Sequence, residues 1–255
     1  SASDRAGGGR KRPADPNRSR LRNETAAMIH TPPNRSPAVG PEYLRPTHFF
    51  DSDNPALRAA AEQASAGARG DVERAVKLFY WVRDGWRYDP FSITVDAENH
   101  VASRVLAGDA GYCITKAILL TAAARAMGIP SAIGFSNVTN HMTSDKLKRW
   151  MGGNSVFVDH GYSVLHLDGR WVKAAPAFNI DLCERFDVTP TEFDGRRDAI
   201  LQEFDRRQRR HMEYLVDHGI WSDYPFERIA ADMRAAYPVD AWQRGIDDPV
   251  FAAAG

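Results

Sequence analysis

At 255 residues, 43% of them hydrophobic, the chain can bury one sizeable core with extensions around it. Its 33 basic and 33 acidic residues cancel, so no overall field favours nucleic acid or an anionic membrane surface. Only two cysteines occur, Cys113 and Cys183, which speaks against a disulfide framework and for reduced thiols in a cytoplasmic setting, and no stretch reaches the roughly 18 to 20 apolar residues of a membrane span.

Three parts follow from the pattern of composition. Residues 1–40, rich in Gly, Pro, Arg, Asn and Ser, read as a low-complexity N-terminal arm, and the basic run Arg10, Lys11, Arg12, Arg18, Arg20 and Arg22 reads as a solvated tail. Residues 41–186 read as the core, with regular structure starting near Asp51, and 187–255 as a charged, mainly helical C-terminal extension. Within the core, Val72, Ala75, Val76, Phe79 and Val82 recur at helical spacing between Asp71, a plausible cap, and Gly85, a plausible stop. Trp86 to Pro90 reads as a short extended piece ending in a turn. Tyr112 to Met127 is a second helix, with Gly128 just past its end. Strands follow at Ser131–Ser136, Ser155–Leu167 and Arg170–Ala175, and Asp168-Gly169 between the last two is a two-residue hairpin signal. After Asp187, the arginines before His211 read as a solvated helix face.

Gly111-Tyr112-Cys113 opens the apolar helix, so Cys113 falls in its first turn, where unpaired backbone amides and the helix dipole favour a thiolate. A cysteine in this position is also an ordinary small core residue. His160 lies in the run Val156 to Leu165, apolar on both faces and therefore an internal strand. A histidine there reads either as a core residue satisfied by hydrogen bonds or as the base that a nucleophilic cysteine requires. His141 and His166 form no cluster at metal-ligand spacing beside either cysteine, so neither a metal nor a cofactor is expected.

Taken together, Gly111-Tyr112-Cys113, Ala117 to Leu120, Arg125 to Pro130, His160-Gly161-Tyr162 and Asp168 to Val172 resemble, in order and spacing, the transglutaminase-like superfamily over roughly residues 70 to 180. That resemblance implies an α+β fold of the papain-like kind, with a central helix bearing Cys113 packed on an antiparallel sheet bearing His160. It implies an acyl-thioester on Cys113, with His160 as general base, and hydrolysis or transfer of an acyl group from an amide or thioester. A peptide-like or acyl substrate is the expected partner, and nucleic acid and membrane are not. The family's orienting aspartate, in an Asp-Pro step, is replaced by Ala175 before Pro176. If the Asp168-Gly169 turn sets a regular register, His160 lies opposite Ala177, and Asn179 shares its face as a candidate orienting group. Asp181 comes next and Asp159 last. A second oxyanion donor is expected upstream of the cysteine, with Trp86, Asn99 and His100 as candidates. The competing reading is a scaffold or interaction module that keeps the fold and has lost the chemistry; Ala175 favours it, and retention of Cys113 with His160 opposes it.

Overall fold

The computed structural model describes residues 28–201 and 203–244, so the basic run from Arg10 to Arg22 lies outside the described residues. The described residues enter the main sheet near their start. Strand β1 (His30–Thr31) pairs antiparallel with a late strand, His30 opposite Trp221 and Thr31 opposite Ile220. Pro32 and Pro33 follow, and with no amide hydrogen they cannot extend the ladder. A 3₁₀ turn at Pro41–Tyr43 then sets Tyr43, fully buried, edge-on against Trp171 with ring centroids 4.9 Å apart. Trp171 Nε1 donates to Pro37 O, so the expected arm, where it is described, packs on the core. Regular structure starts before Asp51 because Tyr43, Phe49 and Phe50 supply apolar surface to bury.

Helix α1 (Pro55–Ala64) is capped by Asn54, whose Oδ1 accepts from the amides of Ala56 and Leu57. Helix α2 (Asp71–Gly85) buries Ala75, Leu78, Phe79 and Val82; its cap is Gly70, and Asp71 sits in the first turn, where a carboxylate still suits the dipole. Beyond Trp86, β2 (Arg87–Tyr88) runs parallel to β3 (Ala110–Gly111), with α3 (Ala102–Leu106) between them in the chain.

Helix α4 (Cys113–Ala126) is buried at every position, as an all-round apolar helix must be. Gly128, at φ +79°, ends it in the left-handed conformation that closes many helices. Two cations inside the core act as carbonyl clamps. Lys116 Nζ donates to Arg83 O and Trp86 O, satisfying the end of α2, and the Arg125 guanidinium donates to the carbonyls of Arg45, Ser131 and Ser222.

The main sheet has five strands in the order β1-β7-β4-β5-β6, all antiparallel: β4 (Ser131–Asn140), β5 (Val156–Leu167), β6 (Arg170–Ala174) and β7 (Met212–Trp221). The Asp168-Gly169 hairpin forms as expected: both residues have positive φ, and Leu167 pairs with Arg170. On one face of β5, Gly161 and Ser163 meet α4. Ser163 Oγ donates to Ala117 O at 2.9 Å, and a Cβ on Gly161 would stand 2.9 Å from Ile114 Cα, so only glycine permits this approach. On the other face, Tyr162 and Val164 form a second cluster with Tyr43, Ala132, Ala175 and Ile220.

The segment after 187 differs from the mainly helical reading. Among the described residues of 189–211 there is no helix, and Met212–Trp221 is a ten-residue strand between β1 and β4. Tyr214, Val216, Ile220 and Trp221 are strand formers, and the neighbouring strand supplies the hydrogen bonds that override the charged lead-in. Helices α7 (Phe226–Ala236) and α8 (Val239–Arg244) close the described chain, and α5 (Asp145–Trp150) and α6 (Ile180–Arg185) are single short turns between strands.

Candidate active site

The β2–β3 ribbon delivers the chain to the start of α4. Tyr112 is the extended residue before the helix, and Thr115 Oγ1 accepts from its amide at 3.0 Å. Its hydroxyl donates to His100 Nε2 at 2.7 Å, while His100 Nδ1 donates to Asp96 O. Cys113 is thereby held as the first residue of the helix, 8% exposed. Backbone N–H groups of Gly161, Ile114 and Cys113 itself approach its sulfur and favour a thiolate, as the helix-terminus argument expects. Burial outweighs them and pushes the thiol up to about 11. At rest Cys113 is a thiol.

His160 sits at an irregularity. It pairs with Ser136, but Phe157 pairs with Val138, so β5 carries one extra residue, with Asp159 at φ +52°. Asn137 Oδ1 accepts from the Asp159 amide, and Arg228 Nη2 lies 3.1 Å from Asp159 Oδ1. Desolvation, ahead of the opposing pull of Arg228 and the push of Asp232, raises Asp159 to about 6. Burial alone depresses His160 to about 4, so its imidazole is neutral. Its Nε2 is buried with no hydrogen-bond partner. A bond from the Cys113 thiol to that nitrogen is therefore not formed, and the two residues are linked through Gly161, which follows His160 and whose amide reaches the sulfur. Catalytic hydrogen bonds of this kind tighten when a substrate is bound.

Asn179 stands at the head of α6, buried, and its Oδ1 accepts from the Tyr88 amide at 3.0 Å. That bond joins the β2 segment to the α6 segment. The β5–β6 ladder ends at Ser163–Ala174, so the register that would set Asn179 beside His160 does not extend that far. Asp181 is exposed. Ala175 is buried in the cluster with Tyr162, and its amide donates to Ala199 O. Of the three upstream donors, Trp86 Nε1 is engaged by Val105 O, His100 by Asp96 and Tyr112, and Asn99 is exposed.

His160 lines a cavity of about 290 Å³ between the Arg87–Phe91 segment, the Phe178–Val188 segment and the ends of β4 and β7. Two of its residues escape sequence reasoning. Tyr88, half-buried, crosses Phe178 edge-on at 4.8 Å, and desolvation pushes its phenol well above its ordinary range. His211 stacks on Phe178 at 5.9 Å, with Nδ1 buried and unpartnered. The run of arginines before His211 hides a strand start; the strand formers after it are the signal that marks one.

Residues 58–176 match the model of the family described as the Transglutaminase-like superfamily. No curated protein matches the chain. Among solved structures, it is similar to the "Putative Cysteine Protease from Cytophaga hutchinsonii", at 17% identity and a TM-score of 0.42, over 58% of this chain and 48% of that one. It is also similar to the "putative protease from Parabacteroides distasonis", at 16% identity and a TM-score of 0.36, over 50% of this chain and 24% of that one. The chain thus spans about half the length of the first and about a quarter of the second.

Proposed function

From the premise that residues 58–176 belong to the transglutaminase-like superfamily, we propose that this chain is a cysteine enzyme that forms an acyl-thioester on Cys113 with His160 as general base. The observation that carries the reading is a buried sulfur at the head of α4 where the backbone N–H groups of Gly161, Ile114 and Cys113 favour a thiolate, with the buried, unpartnered Nε2 of His160 on the residue next to Gly161. Three donors at that point stabilise negative charge on sulfur and, as a carbonyl approaches, on its oxygen.

Because thiol and imidazole are both neutral at rest, the proton moves as the bond forms. The sulfur attacks the carbonyl carbon, the C=O π pair moves onto oxygen, and His160 takes the thiol proton. Collapse reforms the carbonyl and expels the amine or thiol, which receives that proton from His160. A second acceptor repeats the sequence in reverse. Water gives peptidase or amidase activity, and an amine gives an amide-forming acyltransferase. Ala175 leaves His160 without the carboxylate that would favour an imidazolium, so the base works through position and burial.

Ala175 also supports the second reading, an inactive scaffold of the same fold. Incubation with simple S-acyl thioesters, followed by intact mass and peptide mapping, separates the two. One acyl group on Cys113 that turns over with time is the expected result; a chain that never acquires one is a scaffold.

A further inference from the structure

The cavity beside His160 has its own chemistry. Its walls carry Phe91, Phe157, Phe178, Leu182, Met142 and Met212, drawn from separate segments of the chain. Its interior is neutral: His160 and His211 are held uncharged by burial, and burial, the largest of several opposing influences, keeps Cys183 a thiol. Charge is confined to Arg87, Asp89 and Arg185, of which Arg87 and Asp89 face each other at 3.5 Å. Phe91 and Phe186 are 39% and 47% exposed where the cavity meets solvent, so its approach is apolar as well. Its two lining histidines each keep a ring nitrogen buried and unpartnered, His160 Nε2 and His211 Nδ1. Such nitrogens are costly unless something meets them.

We propose that this cavity is the acyl-side pocket of the enzyme and that it takes one neutral aromatic or branched aliphatic group, carried next to the amide or thioester carbonyl that Cys113 attacks. The inference rests on the proposed function and adds the substrate class to it. About 290 Å³ lies at the small end of ligand pockets, suited to one side chain or a short acyl chain and too small for an extended ligand. A carboxylate or ammonium group placed among the apolar walls would leave water and be held away from the solvent-facing Arg87, Asp89 and Arg185, whereas an apolar group displaces water from those walls. The substrate's own amide N–H is a group that can meet one of these ring nitrogens. Asn179, by holding the Tyr88 amide, fixes two walls of the pocket relative to each other.

The test uses the full chain and four N-acetylcysteamine thioesters: acetyl, succinyl, 4-methylpentanoyl and phenylacetyl. The rate of mass gain on Cys113 is read for each. The sulfur of Cys113 displaces N-acetylcysteamine, which leaves with the proton as the free thiol. Phenylacetyl and 4-methylpentanoyl donors are expected to react at least about tenfold faster than acetyl, the scale on which a hydrophobic pocket discriminates, and succinyl more slowly than acetyl. Leu182→Trp and, from a different segment of the lining, Met142→Trp fill the cavity and should bring the phenylacetyl to acetyl ratio toward one. Equal rates in the wild type, a fastest succinyl donor, or a ratio untouched in both folded variants would overturn the pocket while leaving the Cys113 chemistry standing. Should no donor label Cys113, the catalytic reading fails, and calorimetry with N-acetylphenylalaninamide decides the pocket alone. Binding that is lost in the filled variants supports it, and no binding sinks it.

Discussion

The two cysteines are alike in every property a titration reads and opposite in what faces them. Burial, the largest influence on both, pushes each thiol up to about 11, and both are buried in the fold. Cys113 begins a fourteen-residue helix at the centre of the core, and three N–H donors approach its sulfur. Cys183 lies in the six-residue helix α6, and its S–H donates to Phe178 O at 3.9 Å. Donors stabilise a thiolate and the oxyanion that follows it; an acceptor stabilises the thiol. Perturbation alone therefore does not identify a nucleophile, and the sign of the neighbouring dipoles does.

The sharpest test of that contrast is deletion of each thiol in turn. Cys113→Ala should reduce thioester turnover to the uncatalysed background, whereas Cys183→Ala should keep most of it, changing chiefly the apparent KM because Cys183 lines the cavity. The reverse order, read by thioester hydrolysis, would move the nucleophile to α6. Next in size, His160→Gln should slow acylation of Cys113 by about 10² to 10⁴, the range for a lost general base, with the fold intact by circular dichroism. A loss below about threefold would leave His160 as a core residue.

Labelling by iodoacetamide compares the thiols at rest. Both should react slowly at neutral pH and accelerate toward a midpoint near 11, far above an unperturbed thiol, and His160→Gln should leave the Cys113 midpoint where it is, since burial sets it. A Cys113 midpoint below 8.5 that rises in the variant would mean a preformed thiolate–imidazolium pair. A smaller effect belongs to Asn179. If its work is to hold Tyr88 and the cavity wall, Asn179→Ala should raise KM severalfold and lower kcat little; a loss confined to kcat would return it to the role of orienting His160.

How much of this was legible follows from the range of each signal. Cys113 and His160 declare themselves through local features, a glycine before an apolar helix and a polar residue in a two-faced apolar strand. The hairpin register was readable because Asp168-Gly169 sets it within a few residues. The thiol's pKa was not, because the helix terminus is a local effect and burial is decided by Gly161 and the sheet, which pack on Ile114 from forty-odd positions away. Strand β7 was hidden for the same reason: its hydrogen-bond partner is β4, far earlier in the chain, and the arginines at its start outweighed Tyr214, Val216 and Ile220. The cavity needs both, since Met212 and His211 arrive with β7 and Phe178 arrives after the hairpin.

The subtlest difference between the two cysteine environments is the imidazole itself, which acid should expose. His160 is held near 4 in the folded chain against an ordinary value of 6.5. Between those values the unfolded chain binds a proton that the folded chain refuses, so the contribution of His160 is complete above pH 6.5 and is lost as pH falls toward 4. The loss is at most about 3 kcal/mol. His100, also depressed to about 4, acts in the same direction, and Asp159, raised to about 6, acts in the opposite one because its folded carboxyl binds a proton more readily. Net acid sensitivity is thus a sum over these and the other shifted groups, His211 and His218 among them, and the informative quantity is the difference between wild type and His160→Gln. Urea midpoints at pH 7 and pH 4.5 should fall further in the wild type, by an amount equivalent to about 1 to 3 kcal/mol. An equal fall in both proteins would mean that His160 accepts a proton in the folded state, and an imidazole that does so is open to water or paired with an acid, not buried without a partner.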